Sequence, residues 1–311
     1  MTDKRKAYLA TTICSLIIGL SFLFVKNTLT IATPLDTLAH RFTIAWLVAT
    51  IILFCKKERI KIKKNDIVKI TLLATFYPVL FFALQIFGLM HTTSLEAGII
   101  QATVPIFTLI LASFLLKESS TIVQKLAIFI SVLGVMYIMY MNGVKNINTS
   151  IVGSILILLS ALANSVYNVL TKKLIREYSL LTITYMITFF GFIVFNGITL
   201  FIHLKNGSIL QFIQPFQDTD FIIAILYLGI LSSLGTSYLS NYALSKLPTF
   251  QVSVFHNLST LITILVGVMY LKESFHYYHI LGSCLILFGV VGVNYFSKKV
   301  IPDKHIRKIN M

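Results

Sequence analysis

A chain of 311 residues that is 57% hydrophobic and 12% charged, with a mean hydropathy of +0.86, departs from an ordinary soluble domain, which is about half apolar and a quarter charged. If ten membrane helices took ~20 residues each, about 111 would remain for nine connections and two tails, so no separate soluble domain of any size fits. The net charge of +15, from 26 Lys and Arg against 11 Asp and Glu, lies in short segments between apolar runs, which makes it orientation charge at a membrane face and not a nucleic-acid footprint.

Ten apolar stretches bounded by charge, Gly, Pro or Asn follow along the chain, each long enough to cross as a helix. Their continuous apolarity excludes barrel strands, which alternate over ~10 residues. The first, 7–25, follows Lys4, Arg5 and Lys6 and has no small-residue cleavage pattern, so it reads as a retained span. The second, 35–55, carries Arg41, ~10 Å along its helix from Pro34. Insertion scales put a central Arg at about 3 kcal/mol, enough to demand a partner or water. Two readings stand. In one, Arg41 forms a structural ion pair with Glu96. In the other, Arg41, Glu96, Lys26 and His40 line the outer mouth, and Arg41 holds a substrate carboxylate or phosphate through paired bonds. Trp46 reads as packing or lipid-facing bulk.

The third stretch, 67–89, contains Tyr77-Pro78 and Gln85; Pro78 removes a backbone donor, as a hinge or as a tolerated kink. The fourth, 95–116, opens on Glu96 and carries Gln101, and the fifth is 122–141. In the sixth, 151–171, Ser160, Asn164, Tyr167, Asn168 and Thr171 share one helical face. Amides do not meet lipid comfortably, so this face turns inward. After the seventh, 180–203, the eighth, 221–244, repeats the feature with Ser233, Thr236, Ser237, Ser240 and Asn241 beside Tyr238. The ninth, 250–271, offers Ser253, His256, Thr260, Thr263 and Gly267. Ser, Thr and Gly also serve close helix packing, whereas Asn164, Asn168 and Asn241 with Tyr167 and Tyr238 are cavity candidates. His256, beside Asn257, is either a hydrogen-bonded packing residue or a proton-coupling group, with Glu96 as the other coupling candidate. In the tenth, 276–296, Gly282, Gly289 and Gly292 form a helix contact surface.

With the N-terminus inside, 20 basic residues fall in inner segments and 4 in outer ones, which predicts both termini cytoplasmic and an even number of spans. The Asn148-Thr149-Ser150 sequon carries no weight. Cys14, Cys55 and Cys284 have neither CxxC nor Cys/His spacing, so neither a disulfide framework nor a metal site is expected.

A repeat runs at a fixed offset of 155: Leu116-Lys117-Glu118-Ser119 recurs as Leu271-Lys272-Glu273-Ser274, and Gly134-Val135 as Gly289-Val290. Gln101 and His256 are equivalent under it. Five spans per half is odd, so the halves, 1–144 and 145–311, have inverted topology. Such repeats are a transporter signature, with the substrate near the midplane between them.

Two five-helix halves, each with Leu-Lys-Glu ending its fourth helix and Gly in its fifth, together with Arg41-Phe42 and Pro105, resemble the EamA-type transporters of the drug/metabolite transporter superfamily. Thr260 replaces the second Pro, and Ile18-Gly19 the Trp-Gly often seen in the first span. The resemblance implies an all-α integral membrane protein with ten helices around a central cavity. It also implies alternating access and outward movement of small metabolites such as amino acids. No nucleotide-binding loop, HExxH or GxSxG is present, so an enzyme is not expected. The expected function is a secondary carrier of the cell membrane, without a cofactor, whose partners are a small-molecule substrate, the bilayer and a coupling proton or other ion. The alternative is a non-transporting membrane sensor or receptor. Arg41, Tyr77, Gln85, Glu96, Gln101, Asn164, Tyr167, Asn168, Tyr238, Asn241 and His256 are the cavity candidates. Substrate identity and oligomeric state are not legible.

Overall fold

The computed structural model of the chain describes residues 3–58, 60, 62–63, 66–117, 121–145 and 150–295. Glu118, Ser119, the Asn148-Thr149 pair, Arg59, Lys61, Lys64 and the basic tail from Lys298 lie outside the described residues.

Apolar runs that cannot leave backbone groups unpaired in lipid become helices, and the described residues contain helices and no strand. We number the rods α1 (Asp3–Leu29), α2 (Pro34–Lys56), α3 (Ile67–Met90), α4 (Ser94–Leu115), α5 (Ile122–Lys145), α6 (Ser150–Leu174), α7 (Leu180–Asn206), α8 (Thr219–Lys246), α9 (Thr249–Met269) and α10 (Tyr277–Tyr295). Eight of them, all but α5 and α10, contain segments long and apolar enough to cross a membrane; α5 and α10 carry the shorter apolar stretches Ile122–Gly134 and Tyr277–Gly289.

Local chemistry sets the ends. Thr33 accepts from the Asp36 amide before Pro34 starts α2, Ser179 caps α7 through the Thr182 amide, and Asp218 caps α8 through the Phe221 amide. Lys117 and Lys272, the middle residues of the two Leu-Lys-Glu copies, both adopt positive φ (56° and 52°). In both halves the lysine is therefore a left-handed turn at the end of its helix, and in the second half that turn presents Glu273. Glu273 uses that position to accept from the amides of Ser94 (2.7 Å) and Leu95 (2.8 Å), capping α4 of the opposite half.

α5 and α10 pack chiefly against each other. A Cβ at Gly289 would lie 2.0 Å from Ser131 Oγ and 2.3 Å from Ala127 O, so only hydrogen fits there, and Gly292 meets Ala127 in the same seam. The glycines of the tenth stretch thus include a true contact surface. α2 packs along α7, where Trp46 stacks on Phe192 at 4.4 Å and donates Nε1–H to Tyr185 Oη at 3.1 Å. Trp46 is packing. The remaining rods, together with Arg41 of α2, line a cavity.

Candidate functional site

Four rods lose regular α-helical form, and they do so in repeat-equivalent pairs. α3 widens into a π turn over Thr75–Leu80, with Tyr77 at non-helical φ −144°, ψ 115°, and α8 does the same over Tyr227–Gly235. α4 is interrupted at Ala102–Thr103, directly after Gln101, and α9 at His256. The offset of 155 carries Gln101 onto His256 and Thr75–Leu80 into Tyr227–Gly235. Pro105 is tolerated because it opens the helix after the break, where no intrahelical donor is required.

These breaks face a cavity of about 660 Å³ of empty space, its open end included. Six of its lining residues come from α3 and α4, and the residues 155 positions on all line it as well. In the wider turns and below them, Tyr77 pairs with Ser232, Phe81 with Thr236, Phe82 with Ser237 and Gln85 with Ser240. At the breaks, Gln101 pairs with His256 and Val104 with Ser259. Position is conserved between the halves while chemistry is not: the first half contributes rings, amides and a valine, the second hydroxyls and an imidazole. α1 and α6 close the ring with Cys14, Ile18, Ser21, Phe22, Asn164 and Tyr167.

Arg41 enters this cavity from α2 and is nearly fully buried. Its Nε donates to Ser233 Oγ at 2.6 Å and its Nη2 to Ser232 Oγ at 2.9 Å, and its guanidinium carbon lies 4.1 Å over the Phe82 ring. The expected ion pair with Glu96 does not form. Glu96 instead accepts from Thr92 Oγ1 at 2.5 Å near the start of its own helix. Two hydrogen bonds to a charged donor, about 1.5–3 kcal/mol each, and a desolvated cation–π contact of about 2 kcal/mol outweigh the ~3 kcal/mol insertion cost. The shared outer mouth is also corrected. Lys26 donates to the carbonyls of Leu89 (2.6 Å) and Thr92 (2.7 Å), and His40 Nε2 bonds Phe212 O at 2.8 Å among the rings of Phe212, Phe216 and Phe221. Both make local structural bonds, and neither they nor Glu96 lines the cavity.

Of the other candidates, Tyr77, Gln85, Gln101, Asn164, Tyr167 and His256 line the cavity. Gln101 Nε2 donates to Ser160 Oγ at 2.6 Å, and the Nε2 of His256 has no hydrogen-bond partner among the described residues. Asn168, Asn241 and Tyr238 do not line it. Asn241 lies behind the wall, accepting from Tyr167 Oη at 2.8 Å and donating to Thr184 at 3.2 Å, and so holds the Tyr167 ring in place. Asn168 is buried with its amide unpartnered among the described residues. Tyr238, 37% exposed, lies off the helical face of Thr236, Ser237 and Ser240 and points outward. Sequence reasoning missed, among others, Phe81, Phe82, Ser232 and Ser259; applying the repeat offset to Tyr77 would have found Ser232.

Residues 5–140 and 151–295 each match the EamA-like transporter family, so two copies span nearly the whole chain. The chain belongs to that family. It is 46% identical over 292 residues to the uncharacterized transporter YcxC of Bacillus subtilis (strain 168), covering 94% of both chains. It is 27% identical over 273 residues to an uncharacterized transporter of Archaeoglobus fulgidus, covering 88% of this chain and 92% of the relative. A solved crystal structure shares the fold at a TM-score of 0.67 and 14% identity, over 93% of this chain and 96% of that one. As a family member the chain is a multi-span membrane transporter, and the family's description is not that of an enzyme.

Proposed function

We propose that this EamA-like chain is a secondary active transporter, an exporter in the cell membrane, that moves a small organic metabolite such as an amino acid by alternating access. In this reading ten helices cross the bilayer as two inverted five-helix repeats, 1–144 and 145–311, with both termini cytoplasmic. The observation that carries it is the cavity whose lining residues recur at the repeat offset, since a site between inverted repeats is one that either repeat can uncover in turn. The interrupted α4 and α9 and the widened α3 and α8 support it, because irregular backbone at membrane depth is tolerated where it lines a cavity. His256 is the proton-coupling residue in this reading and Glu96 the second candidate. Purified protein in liposomes, loaded with unlabelled substrate, should accumulate labelled substrate by counterflow. A chain that binds without exchanging solute would be a receptor.

A further inference from the structure

The polar inventory of the cavity is one-sided. Arg41 has five N–H groups and spends two of them on Ser232 and Ser233. Its Nη1 finds no acceptor among the described residues, and none of the described residues lining the cavity is Asp or Glu. A buried guanidinium with unspent donors in a cavity without carboxylates is a seat for an anion and offers no counter-charge to a cation. Beside it runs a layer of rings: Phe82 under Arg41, Phe81 at 4.7 Å from Phe82, Tyr77 at 5.1 Å from Phe81, and Tyr167 stacked on Tyr77 at 4.4 Å. Tyr167 donates its hydroxyl to Asn241 and Tyr77 Oη accepts from Ser237 at 3.4 Å, and with the Tyr77 and Tyr167 rings stacked on one another the wall presents mainly apolar ring carbon. The Gln85 amide has no partner among the described residues and lines the same cavity, which supplies a neutral donor beside the charged one.

We propose that the cavity selects a small organic anion, a carboxylate on a flat and largely apolar body, with the carboxylate on Arg41 and the body against Tyr77, Phe81, Phe82 and Tyr167. An amino acid with the same body is the poorer ligand, because its ammonium would meet only neutral acceptors. The proposal narrows the carrier reading, putting an organic anion in place of the amino acid given as its example, and rests on it only for the claim that the bound anion is the one carried. Three probes share one aromatic body and differ in charge: phenylpyruvate, L-phenylalanine and phenethylamine. On the detergent-purified full chain, phenylpyruvate should raise the melting temperature saturably and bind at least about tenfold more tightly than L-phenylalanine. Phenethylamine should leave the melting temperature unchanged. Arg41→Lys keeps the charge but not the fork and should weaken phenylpyruvate binding by about tenfold or more, and Phe82→Leu should weaken it while preserving the order of the probes. Equal or tighter binding of the amino acid or the amine, no binding of phenylpyruvate, or unchanged affinity in Arg41→Lys overturns the anion seat. Counterflow in liposomes separates the two ideas: an anion bound but not exchanged leaves the seat and removes the claim that this anion is the cargo, while an amino acid exchanged without anion binding keeps the carrier and removes the seat.

Discussion

Lys26 and Lys172 make the same bonds at opposite ends of the bundle. Lys26, near the end of α1, donates to the carbonyls of Leu89 and Thr92, and Lys172, near the end of α6, donates to those of Leu244 and Leu247. The acceptors are equivalent at the 155 offset. Each lysine therefore ties its half's first helix to the turn between the third and fourth.

Replacing either lysine by Met frees two carbonyls and should cost about 1–3 kcal/mol, read as a lower melting temperature. The loosening should be local. In Lys26→Met a cysteine placed at Thr92 should label faster with a thiol reagent while one at Leu247 does not change, and Lys172→Met should give the opposite pattern. Equal acceleration at both ends in either mutant would mean that the clamps report global stability.

Arg41 and Glu96 should behave independently, since they bond to different partners. Melting-temperature losses of Arg41→Gln and Glu96→Gln should add to within about 0.5 kcal/mol, whereas Arg41→Gln with Ser232→Ala should couple by about 0.5–3 kcal/mol. Coupling to Glu96 instead would restore the ion pair that the structure rejects.

The rods, the inward stripes of α6 and α8 and the equivalence of Gln101 with His256 were legible because they rest on apolar run length, helical period and a constant offset. The partner of Arg41 was not legible. Glu96 was the acidic residue within reach along the sequence, but a guanidinium bonds equally to hydroxyls, and Ser232 and Ser233 lie some 190 residues away. Tyr238 was misread for a different reason. It belongs to a polar cluster in sequence, yet the helical turn sends it away from Thr236, Ser237 and Ser240.

The seam between α5 and α10 should tolerate no side chain. Gly289→Ala drives a Cβ against Ser131 and the Ala127 carbonyl and should cost about 1–3 kcal/mol. Gly197, where a Cβ meets nothing within 4 Å, is the control: its change to Ala should leave the melting temperature level or raise it, through helix propensity. Equal losses at both glycines would remove the packing argument.

His256 lines the cavity with Nε2 unpartnered among the described residues. If it carries the coupling proton, His256→Gln should abolish accumulation driven by a pH gradient while substrate binding and gradient-free exchange survive. Accumulation with an unchanged pH profile would make the residue structural and return coupling to Glu96 or another ion.

Asp66 stands just before α3, where the Lys69 ammonium at 2.6 Å and the Tyr178 hydroxyl at 2.7 Å hold its carboxyl below the usual carboxylate range. Its contribution to stability is present in full above the ordinary value of about 3.9 and is lost as pH falls through the lower folded value. Asp66→Asn should therefore melt lower than wild type at pH 7, and the gap should close in strongly acidic buffer. A gap that persists unchanged there would locate the effect in packing.

The two walls of the cavity hold a record of divergence after duplication. A tandem chain of two first halves would set a tyrosine where Ser232 now accepts from Arg41 and a phenylalanine where Ser237 faces Tyr77, crowding the space with rings. Two second halves would leave hydroxyls on every side and no surface for a flat body to lie against. A chain built from two copies of either present half would line the cavity differently, so the character of this wall rests on how the two halves differ.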